Sequence, residues 1–198
     1  MTIDKDNLLD SILASIARID YVKSADIPNI DLYMDQVTSF MEKELKSSKR
    51  YSDDKILTKT MINNYAKNDL LPPPVKKKYS KEHLMVLTFI YYFKSILSIK
   101  DIETLLTPIN EKYFHADGEL DVTHIYDEIC ALEKSRTPLL QESVREVFSA
   151  SQKSFEDVPE EERDFLQYFS FICMLSLDVY VKKQIIEKLI DLIPSDKK

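Results

Sequence analysis

The stretch LTKTMINNYAKNDLLPPPVKKKYSKEHLMVLTFIYYFKSILSIKDIETLL, Leu57 to Leu106, decides how this chain is read. It opens with helical spacing. At about 100° per residue, Leu57, Met61, Ile62 and Tyr65 share one side of a helix from about Thr58 to Asn68, and Lys59, Thr60, Asn63 and Lys67 share the other. The helix must stop before Leu71. Pro72, Pro73 and Pro74 disfavour helical geometry in the residues before them and remove three consecutive backbone donors. With Lys76, Lys77 and Lys78 they form a stiff, basic connection. Ser80 then caps a helix rich in Leu84, Val86, Leu87, Phe89, Ile90, Tyr91 and Phe93. Ser98 with Asp101 makes a capping box for the next helix, which is predicted to end near Pro108.

Working outward, apolar residues recur at helical spacing almost throughout, and no segment alternates with period two, which predicts an all-α fold. Leu8, Leu9, Ile12, Leu13, Ile16 and Ile19 define a first helix with Asp4 or Asp6 as its cap. After Pro28 a second helix is expected from Asn29, carrying Ile30, Tyr33, Met34, Val37, Phe40, Met41 and Leu45. It dissolves into the polar run Lys46 to Lys55. The loop EKYFHADGEL, Glu111 to Leu120, suggests a boundary between an N-terminal region, 1–109, and a C-terminal helical region, 110–198. In the latter, one helix is expected from Val122 to Ser135, another beginning at Pro138, and a last from Pro159 to Ile193. Phe165 to Val181 is apolar but contains Gln167 and Asp178, both costly in hydrocarbon, so it reads as a core helix and no membrane contact is expected.

The 198 residues are 44% hydrophobic and 31% charged, an ordinary globular composition. Glycine occurs once, at Gly118, which excludes the glycine-rich loops that cradle nucleotides. Cys130 and Cys173 stand far apart, and read as buried thiols in a cytoplasmic protein. His83, His115 and His124 are scattered, so no metal site, cofactor or reaction is expected. His83 falls in the first turn of its helix and is expected to face solvent beside Lys81. The net charge is −7, yet Lys46 to His83 holds ten Lys or Arg against four Asp or Glu, a local +6 that leaves −13 elsewhere. Such a segment either meets a polyanion or is simply a solvated face.

The donor-rich side of the Thr58–Asn68 helix has the chemistry of groove reading, since Asn pairs with adenine edges and Lys with guanine edges or phosphates. Residue type alone favours the alternative, a face on which Lys59, Asn63 and Lys67 meet only water. The ordered series Tyr65, Leu70, Leu71, then Pro72 to Lys78, then Tyr79 and Ser80, then Ser98, Ile99, Asp101 and Ile102 leading to Leu105 and Leu106 resembles the MerR-type winged helix-turn-helix domain. That resemblance covers about a quarter of the chain. It implies a winged helix-turn-helix-like domain with additional C-terminal helices, and a regulator of transcription that binds double-stranded DNA. Lys59, Thr60, Asn63 and Lys67 would then face bases, and Lys76, Lys77, Lys78 and Tyr79 would contact phosphates. The chain departs from the pattern in having Asn63 and Asn64 before Tyr65 in place of Arg-Tyr, Asp69 in place of glycine, and Lys77 in place of the wing arginine. The resemblance further implies a homodimer and an effector region. Val122, Ile125, Ile129 and Leu132 offer an apolar seam either for the dimer or for packing within one subunit, and the aromatics from Tyr168 to Phe171 are where a small-molecule effector pocket or a plain core would be built. IPNIDLYMDQV and LLPPPVKKKYSKEHL also resemble a bacterial family known only as a domain of unknown function, which implies no activity. The rival reading is a protein-interaction module on the same scaffold without DNA binding.

Overall fold

A computed structural model describes residues 5–16 and 22–194; Asp4 and Ile19 of the expected first helix lie outside them, as do the side chains of Asp6 and Ile16. The fold is all-α apart from one two-stranded ladder. The chain divides into two compact units, residues 1–19 with 133–186, and residues 20–132 with 187–198.

The larger unit is organised round α4, Lys81–Phe93, in which every residue from His83 to Ile90 is buried. A helix apolar on all sides has to be enclosed, and its neighbours supply the enclosure. Val37, Met41 and Leu45 come from α2, Met34–Glu44, and its C-cap. Ile62 and Tyr65 come from α3, Lys59–Lys67, and Ile102 and Leu106 from α5, Ile99–Tyr113. Val122 and Tyr126 come from the first turns of α6, Val122–Gln152. Each large aliphatic side chain so buried contributes about 1.5–3 kcal/mol. A 3-10 turn, Lys46–Ser48, and the polar run after it are tied to the end of α4: Lys94 Nζ donates to the Ile56 carbonyl at 2.7 Å, and Ser48 Oγ lies 2.5 Å from the Tyr91 hydroxyl.

Several expectations need correction. The second helix starts at Met34, because Leu32 and Tyr33 form a strand, β1, paired antiparallel with β2, Lys78–Tyr79, in the register Leu32 to Tyr79 and Tyr33 to Lys78. The Tyr33 N–H donates to the Gln36 side chain at 2.9 Å, which fixes the helix start there. Pro108 does not end α5, and Pro138 does not begin a new helix but lies inside the 31-residue α6. Along the candidate seam, Val122 is fully buried and Ile125 and Ile129 are half-buried, whereas Leu132 is 63% exposed.

In the smaller unit, Leu13 of α1, Lys5–Ile16, packs with Val144 and Phe148 of α6 and with Phe171 of α7, Glu160–Ile190. The Phe148 and Phe171 rings meet edge-on at 5.3 Å. Gln167 is buried, and donates to the carbonyls of Gln152 and Ser154 at 2.7 and 3.1 Å. The expectation of a core helix fails for the rest of α7, whose most apolar 18-residue window is only 11% buried and which is long and apolar enough to cross a membrane. Cys173 is exposed and Cys130 half-buried, so the thiols are not the buried pair expected.

α3 ends with Asp69 at φ 58°, the left-handed region that favours glycine, and the Leu70 N–H closes back on the Tyr65 carbonyl at 3.0 Å. Asp69→Gly is expected to raise stability by about 1 kcal/mol, seen in thermal denaturation as a melting temperature about 2–4 °C higher.

Candidate nucleic-acid interface

α3 is set by its cap: the Met61 N–H donates to Thr58 Oγ1 at 3.2 Å. From that start the helix turns Leu57, Ile62 and Tyr65 inward, while Lys59, Thr60, Asn63 and Lys67 are exposed. The four donor-bearing residues therefore share an outer face. Burial also raises the Tyr65 phenol above its ordinary pKa, so it stays protonated and apolar in character.

The basic connection is a tight turn. Val75 and Lys78 exchange both backbone hydrogen bonds, at 3.1 and 2.9 Å, with Lys76 and Lys77 at the tip at φ 49° and 63°. Two consecutive left-handed residues are the signature of the hairpin turn normally made by Asn-Gly. Here two lysines adopt it, both exposed.

β1 joins the two parts. Lys59 forms an ion pair with Asp35, and two residues earlier Tyr33 pairs with Lys78, whose Nζ lies 5.2 Å from the Tyr33 ring centroid. A continuous surface thus runs from the start of α3 through Asp35 and Tyr33 to the lysine turn. Sequence reasoning missed Tyr33 and Asp35, having placed both on a helix. Both partners of the Lys59–Asp35 pair are exposed, so the pair is weak and leaves Lys59 exchangeable.

Tyr79 does not belong to this surface. Its side chain is 3% exposed, since neighbours in a strand point to opposite faces and Lys78 takes the outer one. His83 is likewise buried, contrary to the solvent-facing expectation. The Ser80 N–H donates to His83 Nδ1 at 2.9 Å, so the imidazole plays the part usually given to Glu or Gln in a capping box, and the neutral ring carries its proton on Nε2. Burial holds the imidazole down at about 4; the Pro73 carbonyl opposes that shift, and His115 adds to it. His115 itself is exposed and pairs with Glu82. Among the described residues no group of three or more His, Cys, Asp or Glu stands together as a metal site.

Fold and surface together describe an all-α protein whose larger unit presents a donor-rich helix face and a lysine-tipped turn. The chain belongs to the family described as a domain of unknown function, DUF1836, whose model matches residues 22–129. That span contains α2 to α5, both strands and the start of α6. The match carries no support for membership of a MerR-like or helix-turn-helix family. No curated protein and no solved structure matches the chain.

Two outcomes follow. Replacing the turn tip by Asn-Gly (Lys76→Asn with Lys77→Gly) removes the cost of two left-handed lysines and is expected to stabilise the fold by about 1–2 kcal/mol in urea denaturation. For His83 the unfolded chain, with its pKa at 6.5, binds more protons than the folded one, at about 4, so stability falls as pH drops between those values. The loss approaches about 3 kcal/mol near the lower value. In urea titrations at pH 7 and pH 4.5, His83→Gln is expected to lose less stability on acidification than the wild type.

Proposed function

We infer that the family-matched region, residues 22–129, binds double-stranded DNA and that the protein is a transcriptional regulator. The observation that supports this most is the exposure of Lys59, Thr60, Asn63 and Lys67 on one helix face, linked through Asp35 and Tyr33 to Lys76, Lys77 and Lys78. The helix would read base edges in the major groove while the turn meets phosphates beside it. The MerR-like series of motifs points the same way. Tyr79 drops out of the contact set, and Tyr33 enters it as an exposed aromatic next to Lys78. Of the lysines in this surface, Lys67, Lys76 and Lys77 take part in none of the ion pairs among the described residues. No reaction is proposed, and the protein would act from the cytoplasm by occupying DNA.

A second reading has its own observation. Ile30, Tyr33 and Val75 are exposed large side chains close in sequence to the two strands, and a protein partner would cover them better than a phosphate backbone.

Fluorescence anisotropy with random-sequence and selected duplexes at two salt concentrations separates the two. Lys77→Glu is expected to weaken binding on every sequence and to reduce the salt slope by about 1. Asn63→Ala is expected to cost about 1–3 kcal/mol on the preferred sequence only. The Asn-Gly turn variant should bind more weakly although it is more stable. Binding unchanged in all three variants, or absent in the wild type at low salt, would end the DNA reading, and recovery of a stoichiometric protein partner would then support the second.

A further inference from the structure

The smaller unit leaves its most apolar surface uncovered. On α7, Phe165, Phe169, Ile172, Ser176, Val179 and Lys183 follow one another at alternating steps of four and three residues, and so lie along one stripe of the helix. The stripe is turned away from Phe171 and Leu175, which face the unit's own core. Phe165 is 70% exposed, Ile172 59%, Val179 56%, and the flanking Leu177 and Tyr180 are 63% and 59% exposed. The Phe165 and Phe169 rings are stacked, with centroids 6.3 Å apart.

We propose that α7 is a homodimerisation helix, which buries this stripe against the same stripe of a second copy running antiparallel to it. The area supports such a partner. Three aromatic side chains of roughly 150–250 Å², Phe165, Phe169 and Tyr180, and the aliphatic Ile172 and Val179, each more than half exposed, leave roughly 500 Å² per copy. Two copies together cover roughly 1,000 Å², the size a specific interface has to reach, and the patch on each copy stands toward the upper end of what a monomer shows.

Charge sets the direction. Glu160, Glu161, Glu162 and Asp164 crowd the first turns of α7, whereas Lys182 and Lys183 lie toward its other end. Reversing the stripe about Met174 lays Phe165 on Lys183, Phe169 on Val179 and Ile172 on Ser176, so each contact occurs twice, as a twofold axis requires. The same reversal brings Glu162 and Asp164 within a turn of Lys182 and Lys183 on the second copy. A parallel pair would instead set like charges side by side. A bilayer fits poorly, because the Asp178–Lys182 ion pair is exposed in the middle of the apolar region.

The test is sedimentation equilibrium of the full chain at micromolar concentrations. The wild type is expected at twice the 23.1 kDa chain mass. Phe169→Glu, or Val179→Lys should the first variant lose helix by circular dichroism, is expected to weaken association at least tenfold. Lys182→Glu with Lys183→Glu should weaken it too, and adding Glu162→Lys with Asp164→Lys should restore it. A monomeric wild type overturns the proposal, as does a dimer indifferent to the stripe variants. Failure of the reciprocal charge exchange to restore association overturns the antiparallel arrangement. Flotation of a monomeric wild type with neutral phosphatidylcholine vesicles would assign the stripe to lipid instead, which also overturns it.

Discussion

Everything in the larger unit follows from the need to enclose α4. A helix that is apolar on every side cannot share its surface with water, so α2, α3, α5 and the start of α6 must each turn an apolar stripe toward it. That requirement fixes the outer faces as firmly as the inner ones. Once Ile62 and Tyr65 are committed inward, helical geometry leaves Lys59, Asn63 and Lys67 no direction but outward. Even the polar run before α3 is held by this helix, since Lys94 and Tyr91 near its C-terminus bind the Ile56 carbonyl and the Ser48 hydroxyl. The position of α3, and with it the candidate interface, is thus a consequence of core packing.

The basic character of Lys46 to His83 is spent in two ways. Lys49 pairs with Glu42 and Lys59 with Asp35, so part of the local positive charge is answered by α2. Of the rest, Lys67, Lys76 and Lys77 are exposed at the end of α3 and at the turn, while Lys46, Arg50 and Lys55 are exposed along the polar run before α3. Formal charge along a sequence therefore overstates the field outside the molecule. A ligand that competes for Lys59 must displace Asp35, which weakens non-specific attraction and leaves more of the binding energy to geometry.

Much of this was legible in the sequence. Thr58, Ser80 and Ser98 were readable as helix starts because capping is local chemistry, confined to three or four residues. The amphipathic α3 was readable because its two faces are chemically distinct. What failed were questions that local chemistry does not decide. Pro108 and Pro138 lie within long helices, each removing one backbone donor without ending its helix. The exposure of α7 was invisible because an apolar run states that it must be covered but not by what. Tyr79 was placed outward by its position in a motif, although Lys78 and Tyr79 are strand neighbours and only one of them can face out. His83 carried a readable signal, being the third residue after a capping serine, where a ring nitrogen can do the work of a carboxylate.

Backbone strain gives the remaining argument. Asp69, Lys76, Lys77, His115 and Phe155 hold positive φ, while the chain's one glycine does not. Left-handed residues other than glycine cost free energy that the surrounding fold must supply. Three of the five lie between the end of α3 and the start of β2, flanking the surface proposed to meet nucleic acid. At the turn the cheaper solution, Asn-Gly, would keep the hairpin and lose two exposed positive charges. A fold that accepts strain at the place where it displays charge is better explained by a use for the charge than by the turn's own stability.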